Sequence, residues 1–215
     1  GKILSLATII ISGSAKWLLK VGGNKEKWYG SDRIFMYVMT VFGAMTVNYS
    51  EQCTEYGWVV SNLRLLAGCL LAGGLLSAAY MDRRNCWVYN YVWWWCLPWA
   101  GILGMTAGGE FSGIVAVLVF VMLQQLLFSR MYGKADCHAF SVCALAECGN
   151  AVGMVGFLLQ MFLSVVLLTI VQLFRGNVTP RGRLREPQPF IPYIITAFFS
   201  VMFLESVFRT TYIYA

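Results

Sequence analysis

The sequence predicts an all-α, polytopic integral membrane bundle, and three observations lead to this fold class. Hydrophobic residues make up 59% of the 215 residues, charged residues only 12%, and the mean hydropathy is +0.65. Soluble domains, by contrast, carry about 25% charged residues. The apolar residues gather into separate runs, and most basic residues lie between runs on one predicted side of the membrane. Because each crossing needs about 20 apolar residues, about eight transmembrane helices are expected.

The apolar runs set the expected order of the helices. They cover residues 3–19, 34–49, 59–80, 89–105, 111–128, 136–148, 154–174 and 191–214. The stretch 3–11 is followed by Lys16 and Lys20, whereas a signal peptide carries its charge in front, so a first membrane helix is expected. The second and sixth runs are the weakest and are expected to be tilted, half-inserted or partly lined by polar groups. Small residues at 66–79 predict close helix packing.

The charges divide the connections between the runs into two sets. Connections 16–33, 81–90, 129–136 and 175–189 hold 13 of the 16 Lys and Arg residues, and connections 48–58, 107–110 and 149–153 hold three Glu and no Lys or Arg. By the positive-inside tendency the first set is cytoplasmic and both termini are outside. The net charge of +6 is therefore a topology signal, and no nucleic acid is expected as a partner.

Several residues within the apolar runs favour structural roles. The seven cysteines contain no C-x-x-C pair and mostly lie in apolar surroundings, so membrane packing is favoured over a disulfide framework or a zinc site. Four ionisable residues map toward the outer halves of their helices: Arg64, Glu147, Glu205 and Arg209. Opposite signs at similar depth favour a structural cluster of ion pairs over a functional site.

Asp82 and Asp136 differ from the other acidic residues because each lies where an apolar run meets a cytoplasmic connection. Two carboxylates held close together in a low-dielectric site cannot both ionise cheaply, so the pair shares a proton. Such a pair can act as general base and general acid on a water molecule and a peptide carbonyl. Which aspartate is protonated stays open, because a coupled pair titrates as a unit. The alternative is that each aspartate only caps a helix.

Three separated motifs resemble the prepilin peptidase family, whose members are intramembrane aspartyl proteases with a G-x-G-D element. The motifs are Tyr80-Met81-Asp82-Arg83-Arg84 with Val88 and Asn90, Gly133-Lys134-Ala135-Asp136, and Pro189-Phe190-Ile191-Pro192-Tyr193. Their order, spacing and predicted cytoplasmic placement agree with the family over residues 59–215. The resemblance implies a six-helix peptidase core there, and residues 1–58 form additional membrane helices outside it.

The resemblance also implies the chemistry and the site. Asp82 and Asp136 would be catalytic, and seven residues would shape the site: Gly133, Lys134, Ala135, His138, Pro189, Phe190 and Pro192. The substrate would be a pilin-like precursor with a basic leader, cut at the cytoplasmic boundary of the bacterial inner membrane. The cysteine-rich segment of larger members is missing, which implies a peptidase-only form, as in tight-adherence (Flp-type) pilus systems, without metal, cofactor or methyl donor. The oligomeric state stays open.

Two departures from the family pattern bear on the site. Ala135 replaces the second glycine of G-x-G-D, and alanine lacks the freedom of glycine at positive φ, so a different loop conformation is expected. Cys137 and His138 replace the usual Val-Lys pair, so His138 would supply a pH-dependent cation near the aspartates, or only a polar start to the helix.

Three other functions are weighed against the peptidase. The aspartates could bind a cation or relay protons in a small transporter or channel. The chain could also be a non-catalytic membrane scaffold that keeps the fold, an alternative suggested by Ala135 and Cys137. A presenilin-like protease would use two membrane aspartates as well, but its Pro-Ala-Leu motif is missing from this sequence.

Overall fold

The computed structural model describes residues 2–21, 30–52, 58–106, 111–128, 133–148, 153–174 and 188–214. Within these ranges the chain forms eight helices and no strand. The helices are α1 (Lys2–Val21), α2 (Gly30–Gln52), α3 (Trp58–Asn85), α4 (Asn90–Thr106), α5 (Phe111–Leu126), α6 (Lys134–Glu147), α7 (Gly153–Phe174) and α8 (Ile191–Tyr214). Each predicted apolar run corresponds to one helix in the same order, which confirms the all-α fold class.

Four of these helices are long and apolar enough to cross a membrane. The candidate spans are Leu4–Val21, Val59–Asn85, Val155–Phe174 and Ile191–Phe208. Shorter apolar segments lie in α2 and α5, at Ile34–Val47 and Gly113–Leu126. The described residues thus have the character of a membrane protein, with four helices meeting the length criterion rather than the eight that the sequence predicts.

The sixth helix is too short to cross a bilayer unaided and is enclosed by its neighbours. Its 14 residues rise about 21 Å, whereas the hydrocarbon core is about 30 Å thick. It packs against α4, α5, α7 and α8, and nine of its residues are buried. Because protein rather than lipid surrounds it, α6 can carry polar residues that a lipid-facing helix could not.

Two helices organise the bundle. The third helix packs against α1, α2, α4 and α8, and α6 shares α4 and α8 with it as neighbours. The small residues predicted to pack closely do so on two sides of α3. A Cβ at Gly73 would clash with the Ser14 side chain and lie 2.9 Å from the Ile11 carbonyl oxygen, whereas one at Gly74 would lie 3.0 Å from the Trp95 ring. Gly73 therefore allows α1 to approach α3 closely, and Gly74 does the same for α4.

The N-terminal helices share the core of the rest of the bundle. Buried residues of α1 and α2, including Ile11 and Val47, belong to the same apolar cluster as those of α3 and α8. The Val47 side chain lies 2.9 Å from the Cβ position of Gly68 on α3. Residues 1–58 therefore pack against the predicted core through α1 and α2, and the division at residue 58 stays a prediction.

Gly104 provides a test of the contact between α4 and α6. A Cβ there would clash with the Leu145 carbonyl oxygen and lie 2.6 Å from Cys148 Sγ. Since the nearest atom belongs to the backbone, α6 must shift to admit a methyl group. We expect Gly104→Ala to lower the free energy of unfolding by about 1–3 kcal/mol, measured as a lower thermal midpoint in detergent.

The matched control for that substitution lies one turn earlier on the same helix. A Cβ at Gly101 meets no atom within 4 Å, so Gly101→Ala is expected to be neutral or to stabilise by up to about 1 kcal/mol, because alanine favours the helix. Equal midpoints for the two variants would contradict the close approach of α4 and α6.

Candidate active site

Asp82 lies in the last turn of α3 and is held by the first turn of α8. Its side chain is 7% exposed, and the Ile191 backbone N–H donates to Oδ2 at 2.9 Å. The Phe190 amide also lies within hydrogen-bonding reach. Ile191 is the first residue of α8, where backbone N–H groups have no partner inside the helix. A carboxylate at this end also interacts favourably with the helix dipole.

The segment from Pro189 to Pro192 explains why these two amides face the aspartate. Neither proline has an N–H group, so Phe190 and Ile191 are the only backbone donors of the four residues. The Phe190 carbonyl accepts from the N–H groups of Tyr193 at 3.0 Å and Ile194 at 3.3 Å, which begins the helix. Phe190 and Pro192 are buried and Pro189 is half-buried. The residues of this segment thus fix a backbone that presents its amides to Asp82, and their role in shaping a catalytic site stays a prediction.

Asp136 is the third residue of α6 and is tied to the residue that precedes the helix. The Gly133 N–H donates to Asp136 Oδ2 at 3.2 Å, and the Asp136 N–H donates to the Gly133 carbonyl oxygen at 3.1 Å. Asp136 therefore caps α6 from inside its first turn, as in one half of a capping box. Since α6 is not among the four candidate spans, the carboxyl lies outside them, and burial raises its pKa to about 6 against the lowering effect of the Gly133 amide.

Gly133 leaves space for the Asp136 side chain and adopts no unusual backbone conformation. Its φ of −63° and ψ of 150° are open to any residue. A Cβ at this position, however, would lie 3.2 Å from Asp136 Oδ2. A side chain at 133 would therefore press on the carboxylate. Lys134, the next residue, is the exposed first residue of α6.

At position 135 the structure has a helix rather than a loop, and the expectation that Ala135 changes the conformation found in the family stays a prediction. Ala135 lies inside α6, and Cys86 is the only non-glycine residue with positive φ in the described ranges. The helix begins at Lys134, two residues before the predicted run, so position 135 needs no positive φ. The alanine side chain is partly buried and packs against the apolar core.

The two aspartates lie close enough to interact, although they are far apart in sequence. The charge of Asp136 acts electrostatically on the Asp82 carboxyl. Near this point α6 packs against the residue that precedes α8: the ring centroid of Phe140, one turn beyond Asp136, is 5.9 Å from that of Phe190. Since the next residue after Phe190 donates to Asp82, the start of α8 contacts Asp82 directly and lies against α6 one turn from Asp136. The arrangement brings together two largely buried carboxyls, each anchored through Oδ2.

His138 is directed to another side of α6. Two residues along a helix correspond to about 200° of rotation, so His138 and Asp136 lie on different faces. Its Nδ1 is 3.4 Å from Gln125 Nε2 on α5, and its ring centroid is 6.1 Å from that of Trp93 on α4. His138 therefore packs between α4 and α5, and its role as a cation near the aspartates stays a prediction.

The basic residues after Asp82 complete the end of α3. Arg84 donates to the Tyr80 hydroxyl at 3.0 Å, and the Arg83 guanidinium lies 4.8 Å from the Phe35 ring centroid. Cys86, with φ of 50°, donates its N–H to the Asp82 carbonyl oxygen at 2.8 Å, which ends the helix in a left-handed cap. Sequence reasoning missed this cap and the Ile191 amide.

Comparison with known proteins adds no assignment. No family model, no curated protein and no solved structure matches the chain. The resemblance to prepilin peptidases therefore stays a prediction from three motifs, and function is inferred from the contacts of the aspartates.

Asp82 has a structural role that substitution can separate from a chemical one. Asp82→Ala leaves the buried amide of Ile191 without an acceptor, which is expected to lower the free energy of unfolding by about 1–3 kcal/mol. Asp82→Asn keeps a carbonyl oxygen for that amide, so its thermal midpoint in detergent is expected to stay near that of the unaltered chain. If alanine and asparagine gave the same midpoint, the hydrogen bond to α8 would carry no stability.

Proposed function

We propose that the chain is an intramembrane aspartyl endopeptidase that removes the leader peptide from type IV pilin-like precursors at the cytoplasmic membrane boundary. The observation that carries the proposal is that the Asp82 carboxyl, at the end of α3, lies within electrostatic range of Asp136, at the start of α6. Both carboxyls are largely buried, and backbone amides fix one oxygen of each. Such a pair suits acid–base hydrolysis, because close carboxylates in a low-dielectric site share one proton.

The reaction follows from that shared proton. The ionised carboxylate takes a proton from a water molecule, whose oxygen attacks the peptide carbonyl carbon, while the protonated partner donates to the carbonyl oxygen. The tetrahedral intermediate then collapses: one of its hydroxyl groups returns a proton to the ionised carboxylate, the C–N bond breaks, and the leaving nitrogen takes the proton of the other carboxyl. The products are a new carboxyl end on the leader and a free amine on the mature chain. Neither metal nor cofactor takes part in this scheme.

The substrate is a membrane helix with a basic leader, and the membrane is the bacterial inner membrane. Support for the location comes from the four candidate spans and from Arg83 and Arg84, which directly follow Asp82 in a predicted cytoplasmic connection. In this proposal α3 to α8 form the peptidase core, and the shorter helices cross with the help of their neighbours. The chain is the peptidase-only form of tight-adherence systems.

A proton or ion pathway is the second candidate because α6 carries a further buried carboxylate, Glu147, at its other end. A pathway requires transport without cleavage of any peptide. Reconstituted vesicles with a pH-sensitive dye inside would distinguish the two functions, since a peptidase leaves the internal pH unchanged. A non-catalytic scaffold would give neither transport nor cleavage.

Conservative substitution of either aspartate tests the proposed mechanism. Asp82→Asn and Asp136→Asn each remove one proton-transfer group, so leader removal from a co-expressed pilin-like precursor is expected to fall by about 100-fold or more. Cleavage is read as a mobility shift on a gel. The matched control is Asp32→Asn, which alters the one other aspartate of the chain and is expected to leave cleavage intact. Full cleavage by either the Asp82→Asn or the Asp136→Asn variant would contradict the mechanism.

The space beside Asp136 gives a second test. Gly133→Ala places a Cβ 3.2 Å from Asp136 Oδ2 and displaces the carboxyl, so cleavage is expected to fall by about tenfold to 100-fold. The comparison variant, Ala135→Gly, restores the second glycine of the motif but changes a helical position, and it is expected to cleave as well as the unaltered chain. If Ala135→Gly cleaved less well than Gly133→Ala, the steric constraint on the site would lie at position 135 rather than at position 133.

A further inference from the structure

One face of α1 is exposed from residue 6 to residue 20, and its character changes toward the C-terminal end of the helix. The exposed residues recur every three or four positions, so they lie on one side of the helix. Its first members are apolar, and its last members are basic and aromatic. We call this face the α1 stripe, and it consists of Leu6, Ile9, Gly13, Lys16, Trp17 and Lys20.

The apolar part of the α1 stripe has the properties of a surface for lipid chains. It belongs to the candidate span Leu4–Val21, and Leu6 and Ile9 are 54% and 62% exposed. A Cβ at Gly13 would meet no atom within 4 Å, so no neighbouring helix covers this position. The missing side chain leaves a shallow notch, where an acyl chain can approach the helix backbone closely.

The basic part of the α1 stripe presents two positive charges together. Lys16 and Lys20 are both exposed, and residues four apart on a helix have Cβ atoms about 6 Å from each other. Neither α1 nor α4 contains an acidic residue. The acidic residue at the end of α3, Asp82, is hydrogen-bonded to α8. Because lysine side chains extend toward the polar edge of a membrane, both ammonium groups can reach one phosphate group.

The backbone that carries the two lysines is fixed by aromatic contacts with α4. The ring centroid of Trp17 is 5.2 Å from that of Trp95, and Trp95 Nε1 donates to the Leu70 carbonyl oxygen of α3 at 3.3 Å. The Tyr91 hydroxyl donates to the Leu18 carbonyl oxygen at 2.8 Å. Trp and Tyr side chains favour the level of the lipid headgroups. The end of α1 is thus held in place where a headgroup would lie.

We propose that the α1 stripe is a binding site for one anionic phospholipid of the predicted cytoplasmic leaflet. The phosphate lies between the ammonium groups of Lys16 and Lys20, and an acyl chain follows the stripe past Gly13 to Ile9. From Lys20 to Ile9 the helix rises about 17 Å, which is close to half of the hydrocarbon thickness of about 30 Å. The stripe therefore matches one leaflet in length, and its charge selects an anionic headgroup over a zwitterionic one.

Lipid binding to the purified full chain in a neutral detergent tests the site. Native mass spectrometry gives the apparent Kd for dioleoyl phosphatidylglycerol and for dioleoyl phosphatidylcholine, which differ in headgroup charge but not in acyl chains. We expect the Lys16→Gln, Lys20→Gln double variant to bind phosphatidylglycerol about 10-fold to 30-fold more weakly, since each lysine near an anionic headgroup contributes about fivefold. Its affinity for phosphatidylcholine is expected to stay unchanged, and Lys16→Arg with Lys20→Arg is expected to retain the preference.

A second double variant separates a built site from general attraction between charges. Lys25→Gln with Lys27→Gln removes the same charge from the same connection, 16–33, at positions outside the described residues, and it is expected to keep the affinity for phosphatidylglycerol. Equal loss in the two double variants would overturn the proposal, and so would equal binding of the two lipids by the unaltered chain.

The thermal midpoint distinguishes a lipid site from a site for soluble phosphates. Phosphatidylglycerol is expected to raise the midpoint of the unaltered chain, because it binds the folded bundle, whereas glycerol phosphate, which has no acyl chains, is expected to leave it unchanged. An equal rise with glycerol phosphate would overturn the lipid assignment. These measurements do not involve peptide cleavage, so they stand apart from the proposed peptidase activity.

Discussion

The hydrogen bond from the Ile191 amide to Asp82 joins residues 109 positions apart, and the geometry of the candidate site depends on it. Asp82 ends one helix and Ile191 begins another. In an apolar bundle a lone carboxylate and a helix start with free amides are each unfavourable. The carboxylate accepts a hydrogen bond from the free amide, so the contact between the two helix ends is specific as well as stabilising. The same contact fixes the Asp82 carboxyl beside α6, where Asp136 lies.

A structural role for Asp82 does not compete with a chemical one. The Ile191 amide uses Oδ2 of Asp82, and the Gly133 amide uses Oδ2 of Asp136. Amides that hold one oxygen fix the orientation of the carboxyl plane. Because these amides are already in place, they do not have to reorient when a proton moves to or from the pair. The helix-capping interpretation and the catalytic interpretation thus describe the same contacts, and the action of the Asp136 charge on Asp82 is what the catalytic interpretation adds.

The sequence predicted the number and order of the helices well, but the ends and partners of the site only in part. Hydropathy located each helix because burial in lipid or protein needs apolar side chains. It placed Asp82 after α3 and Asp136 at the start of its run, whereas α3 extends to Asn85 and α6 begins at Lys134. Charged residues interrupt an apolar pattern without interrupting backbone hydrogen bonds. The side to which His138 points and the hydrogen bond from Ile191 to Asp82 both depend on tertiary contacts. Hydrophobic periodicity in the sequence gives no information about such contacts.

The residues between the two acidic ends of α6 favour a peptidase over a continuous ion pathway. Phe140 and Phe157 are fully buried and their ring centroids lie 6.2 Å apart. Phe140 also contacts Phe190, and Phe157 contacts Phe120 at 4.5 Å. These four rings, from α5, α6, α7 and the start of α8, form an apolar layer between Asp136 and Glu147. The Ser141 hydroxyl of α6, which lies within this stretch, donates to the Cys137 carbonyl oxygen. A charge crossing such a layer would lose its polar partners, so the aspartate pair and the buried Glu147 side chain are best understood as separate.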